Sequence, residues 1–110
     1  MASKLLNMVG LAVRAGKVRF GVYLTEKAIT DGSARLVVAA DDLGKDNRKK
    51  IEYKCAEMGV PLITGGTKSE IGRAVGKGET AVLCICDSSL AGAAIKIANS
   101  MPRKDGSPNE

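Results

Sequence analysis

The chain reads as an α/β protein, a three-layer α/β/α sandwich, and two observations carry that reading. Segments with helical apolar spacing alternate with short strand-like runs along the chain. Two of those runs, residues 36–40 (LVVAA) and 81–86 (AVLCIC), are apolar without alternation, as strands covered on both faces must be. The length of 110 residues then fits one domain with one real core.

Taken in order, residues 3–15 place Leu5, Met8, Val9 and Ala12 on one helical face, with Ser3 as N-cap and Gly16 as the stop. Residues 17–20 alternate charged and apolar side chains, as a short strand or extended link does. Gly21 opens a second helix, to Asp31, which Gly32 ends; its inner face is expected to be Leu24, Thr25, Ala28 and Ile29, with Tyr23, Lys27 and Thr30 on another face. After the 36–40 strand, Asp41 and Asp42 break the run, and residues 46–58 form an amphipathic helix. Ile51, Cys55 and Met58 are expected inward, with Arg48, Lys49, Lys50 and Lys54 mostly outward. Gly59 stops that helix and residues 61–64 form a strand. Gly65-Gly66 makes a turn, and Thr67 through Glu70 has the capping-box pattern before a short helix to Val75. Residues 76–79 (GKGE) form an exposed loop before the 81–86 strand, and Asp87 caps a last helix with Leu90, Ala94, Ile97 and Met101 on one stripe. The composition predicts a single domain over 1–101 and a disordered polar tail over 102–110.

Composition narrows the function classes. With one Phe, two Tyr and no Trp, the core must be aliphatic. The cysteines Cys55, Cys84 and Cys86 form no CxxC pair, and no His exists to complete a zinc set, so neither metal nor cofactor is expected. Cys84 and Cys86 would share a strand face as small hydrophobes, too far apart along the chain to bridge easily. An odd count without a framework fits a reducing compartment, and no signal peptide or membrane span is evident, so the expected location is the cytoplasm.

The net charge of +5 is unevenly placed. Residues 1–35 hold Lys4, Arg14, Lys17, Arg19, Lys27 and Arg35 against Glu26 and Asp31, which accounts for +4 of it. Clustered cations suit a polyanion, because neutralising phosphates releases their counterions. Catalysis finds little support: His is absent, and Asp41 and Asp42, adjacent on an extended chain, point apart and suit turn roles. The Gly72-to-Gly78 glycines fail the phosphate-loop pattern in spacing and in the residue after Lys77. The strongest signal is the stretch 17–27, where Lys17 and Arg19 precede a glycine that opens a helix and Lys27 follows on that helix.

Several segments together resemble a known family. They are Gly-Leu-Ala-Val-Arg-Ala-Gly-Lys at 10–17, Gly21 with Lys27-Ala28-Ile29, Gly-Ser-Ala-Arg-Leu-Val-Val at 32–38, Ala40-Asp41-Asp42, and Thr-Lys-Ser-Glu-Ile-Gly-Arg-Ala-Val-Gly at 67–76. In order and spacing they resemble the kink-turn-binding ribosomal-protein family, the archaeal L-seven-Ae and eukaryotic L-thirty-e group, and within it the small bacterial YlxQ-like members. The resemblance implies an α/β/α sandwich with a small mixed sheet and a non-catalytic role in binding structured RNA, ribosomal or other. It places RNA contact at Lys17, Arg19, Gly21, Val22, Tyr23 and Lys27, at the loop Lys77, Gly78 and Glu79, and at Arg35. It implies ribosomal or translation-associated proteins as further partners, no membrane, and a monomer when free. Where the family pattern has Asn-Glu to read sheared G·A pairs, this chain has Tyr23 and Leu24. Leucine cannot hydrogen-bond a base edge, so phosphate affinity is expected to outlast kink-turn specificity. The alternative is a protein-interaction module on the same fold, with Leu24 serving a partner protein.

Overall fold

Each helix starts where the chain supplies a cap or a glycine, and the sheet forms from the runs that have nowhere polar to face. The computed structural model describes residues 3–100 as α1 (Lys4–Arg14), β1 (Val18–Phe20), α2 (Val22–Thr30), β2 (Leu36–Ala39), α3 (Lys45–Met58), β3 (Leu62–Thr64), α4 (Lys68–Val75), β4 (Val82–Ile85) and α5 (Ser88–Ser100). Met101 and the polar segment 102–110 lie outside the described residues. Among those described, no helix is long and apolar enough to cross a membrane.

The sheet is mixed, in the order β1-β4-β2-β3, with β4 antiparallel to β1 and β2, and β2 parallel to β3. The two continuous apolar runs become β2 and β4, take the two inner places, and are buried at every residue. Register divides them between two layers. Leu36, Val38, Leu83 and Ile85 pack with Leu5, Val9, Ile71, Val75 and Ala94 from α1, α4 and α5. Val37, Ala39, Val82 and Cys84 pack with Ala28, Ile29, Ile51 and Cys55 from α2 and α3. Each Leu or Ile buried this fully is stabilised by about 1.5–3 kcal/mol over exposure, and no aromatic side chain is among the buried core residues.

The expected caps form. Ser3 Oγ accepts from the Leu6 N–H at 3.0 Å, and Asp87 Oδ2 accepts from the Leu90 N–H at 2.9 Å. The Thr67–Glu70 box is complete in both directions. Two inward expectations fail. Leu24 is 42% exposed, because the stripe turned to the sheet is Val22, Thr25 and Ile29, and one residue on a helix is a rotation of about 100°. Met58 is 47% exposed. The left-handed turn at Gly59 brings Val60 back, its N–H donating to the Cys55 carbonyl, and Val60 packs against the core where Met58 was expected. Cys84 and Cys86 do share a face, with their sulfurs 3.9 Å apart and unbridged, but Cys86 is only half-buried.

Strand direction decides what meets what. Strands β1, β2 and β3 run toward one end of the sheet and β4 starts there. Helices α2, α3 and α4, which follow those three strands, therefore begin at that end. The opposite end receives the start of β1, the entry to β2 and the end of β4.

Candidate functional site

The first element of the site is the entry to α2. Gly21 adopts φ +92° and ψ 163°, backbone space essentially confined to glycine, although a Cβ there would meet nothing within 4 Å. The glycine is needed for its dihedrals, which turn the chain from an edge strand directly into a helix. Its N–H donates to the Val82 carbonyl at 2.9 Å, tying the turn to the start of β4. The first N–H groups of an α-helix have no partner within it, and Gly21 has no side chain to cap them.

The second element is the loop from Gly76 to Thr80, and α4 holds it by backbone contacts. Gly76 ends α4 in the left-handed region at φ +75°. The Lys77 N–H donates to the Gly72 carbonyl at 2.9 Å and the Thr80 N–H to the Lys68 carbonyl at 3.0 Å. Thr80 Oγ1 then donates to the Gly78 carbonyl at 3.1 Å. Gly72 lets the loop lie against the helix, since a Cβ there would collide with the Gly78 carbonyl. Together the two elements enclose a groove of about 490 Å³ whose walls include Phe20, Gly21, Lys77, Gly78, Glu79 and Thr80. The Lys77 ammonium lies 4.6 Å from the centre of the Phe20 ring, a cation–π contact that holds the lysine across the groove.

A third group lies along α2. Tyr23 and Lys27 are one turn apart and both exposed, Tyr23 by 73%. Asp31 ends this stripe, and its carboxyl is held below the usual range by the Ser33 hydroxyl and backbone N–H, helped by the charges of Arg19 and Lys27. Arg19 and Lys27 therefore lie within electrostatic reach of one another's surroundings, on the α2 side of β1. Tyr23 and Lys27 do not line the groove.

The remaining expected residues fall elsewhere. Lys17, whose carbonyl accepts from the Cys86 N–H, and Arg35, whose N–H donates to the Ile85 carbonyl, flank the far end of β4. Val22 is half-buried, its side chain packed in part against the core. Phe20 and Thr80 were not singled out from the sequence. For Phe20 the alternation in 17–20 was the available signal, since it puts Phe20 opposite Arg19; nothing marked Thr80. The acidic pair is structural: Asp42 Oδ1 accepts the first N–H of α4, from Lys68, at 2.8 Å. Arg48 Nη2 donates to the carbonyls of Ala40 and Asp41. The groove at the 76–80 loop opens on Phe20 and Gly21, not on either aspartate. The thiols of Cys55 and Cys84 are pushed up to about 11 and about 12 by burial, so they are neutral and unreactive at neutral pH.

The profile of the ribosomal protein L7Ae/L30e/S12e/Gadd45 family matches residues 3–91. The chain belongs to that family. An Enterococcus faecium relative named RNA-binding protein YlxQ is 35% identical over 74 residues, 67% of this chain and 72% of its own. The Bacillus subtilis protein of the same name is 32% identical over 90 residues, covering 82% of this chain and 90% of its own. A solved Bacillus halodurans protein of unknown function superimposes with a TM-score of 0.87 at 30% identity, over 89% of this chain and 99% of that one. A Giardia lamblia 15.5kD RNA binding protein does so with a TM-score of 0.72 at 28% identity, over 84% and 80%. This family member is thus YlxQ-like, on an α/β/α fold shared with solved relatives.

Proposed function

We propose that the chain binds structured RNA through the entry to α2 and the loop before β4. The observation that carries this reading is the meeting of two segments distant in sequence. The Gly21–Val82 hydrogen bond and the α4-held loop set Gly21 beside Lys77, Gly78 and Glu79 around one groove. The start of α2 at that end, which no side chain caps, adds partial positive charge that suits phosphate, and the names of the YlxQ relatives support RNA as the ligand. Arg19 and Lys27 extend the surface along α2. Lys17 and Arg35, at the other end, would touch RNA only if it ran the length of the sheet edge.

On this reading the protein works in the cytoplasm, free as a monomer, on ribosomal or other stem-loop RNA, with kink-turn specificity weakened by Tyr23 and Leu24. Titration against hairpin and kink-turn RNAs at several salt concentrations tests it. A log–log slope of roughly −2 to −4 is expected for a few phosphate contacts, with Lys27→Ala and Arg19→Ala weakening binding while Lys50→Ala does not. No binding at low salt ends the reading. The exposure of Leu24 favours one competitor, a protein-interaction module; partners retained from RNase-treated lysate would support it.

A further inference from the structure

The chain has three aromatic residues and buries neither tyrosine. Tyr23 is 73% exposed, and Leu24 beside it is 42% exposed, so the first turn of α2 carries an apolar surface that the fold leaves uncovered. The ring stands two residues after Gly21, which walls the groove, and one turn before the exposed Lys27. Arg19 lies along the same flank, close enough for its charge to act on Asp31 together with that of Lys27. An aromatic face bordered by cations suits a nucleotide: the ring takes the base and the cations take the adjoining phosphates. A base inside a duplex already has both faces covered by its neighbours, so only an unpaired base can use such a ring.

We propose that Tyr23 is a stacking platform for one unpaired base of the bound RNA, with Leu24 widening the apolar contact and Lys27 holding a neighbouring phosphate. The inference rests on the RNA-binding reading above. It makes the preferred ligand an RNA with a bulged or looped-out nucleotide, and it makes the choice of base at that position permissive, because every base has a π-face and neither side chain reads an edge as a carboxamide does. Tyr53 is the internal comparison. It is 70% exposed and also has lysines one turn away, Lys49 and Lys50, as Tyr23 has Lys27 next to Glu26. What differs is place, since Tyr53 lies in the half of α3 where Lys54 reaches Thr30, at the end of α2 away from Gly21 and the groove.

The test uses the full chain and two hairpin RNAs of equal length and charge, one fully paired in its stem and one carrying a single bulged 2-aminopurine. The wild-type protein should quench the 2-aminopurine and bind the bulged RNA more tightly. Tyr23→Phe should keep both effects. Tyr23→Ala should lose the quench and weaken binding on the order of 10-fold, with the salt slope unchanged because the phosphate contacts remain. Tyr53→Ala should behave as wild type. Unaltered affinity and quench in Tyr23→Ala, or an equal loss in Tyr53→Ala, would overturn the platform while leaving RNA binding intact. Failure of the wild-type protein to bind either RNA would remove the RNA reading and the platform with it.

Discussion

The two ends of the sheet present positive charge by different means. At the far end it comes from side chains, Lys17 and Arg35, on either side of the last residues of β4. At the near end much of it comes from the backbone, where α2, α3 and α4 all begin. Left-handed glycines serve both ends, Gly21, Gly66 and Gly76 at the near one and Gly16, Gly32 and Gly59 at the far one, so backbone conformation alone does not set them apart. Of the three helix starts, that of α4 is occupied by the protein's own groups, Thr67, Glu70 and Asp42. The start of α2 has only a glycine. The difference teaches that the count of cations and the shape of the surface are separate properties: the groove lies at the near end, beside the uncapped start of α2, and not between Lys17 and Arg35.

The largest effect should come from removing that geometry. Gly72→Ala forces a methyl into the Gly78 carbonyl, and because backbone gives way poorly it should cost about 2–3 kcal/mol by overpacking, read by urea unfolding, with RNA affinity falling as the loop leaves α4. A variant equal to wild type in both respects would break the claim that α4 sets the groove. Next, Gly21→Ala should cost roughly 1–3 kcal/mol of backbone strain and also weaken RNA binding. Gly16→Ala, at φ +75° beyond α1, should cost stability alone, about 1 kcal/mol, and so separates the two ends.

Paired removal of cations sharpens the contrast further. Lys27→Ala with Lys77→Ala should lower the salt slope by about one for each phosphate that is no longer neutralised, whereas Lys17→Ala with Arg35→Ala should leave it nearly unchanged. Equal drops in the two doubles would mean that RNA spans the whole sheet edge. The smallest expected effect is a few-fold gain in affinity at low salt for Asp31→Asn, because the carboxylate repels phosphate beside Arg19 and Lys27. Its depressed pKa sets the pH sense. The Ser33 bonds favour the folded state above the ordinary value of 3.8, and that contribution is lost only as pH falls through the lower folded value. Acidification to the ordinary carboxylate range should therefore not mimic the substitution.

Much of the fold was legible because its signals are local. Ser3, Thr67 with Glu70, and Asp87 announce helix starts by chemistry that acts within one turn. The unbroken apolar runs announce the inner strands. Leu24 and Met58 misled because helix-period reading assigns a face without knowing where the covering sheet ends or which later residue, here Val60, fills the space. Strand order is not a local property, and nothing in residues 18–20 or 82–85 says that they pair antiparallel. For the same reason charge reasoning alone gathered Lys17 with Gly21, although β1 carries them to opposite ends. The proximity of the 76–80 loop to Gly21 came from family resemblance, and the structure supplies its cause in the Gly72–Gly78 contact.

Sheet order also has a consequence for the time at which the binding surface exists. β4 is the last strand in the chain and an inner strand in space, the hydrogen-bonded neighbour of both β1 and β2. During synthesis, β2 and β3 can pair as soon as both have emerged, but β1 has no neighbour until residues 82–85 arrive. Loop closure over so long a separation makes that docking a late event. A nascent or truncated chain ending before β4 would carry most of the cations without the assembled groove, so on the proposed reading RNA recognition should switch on only when β4 is in place.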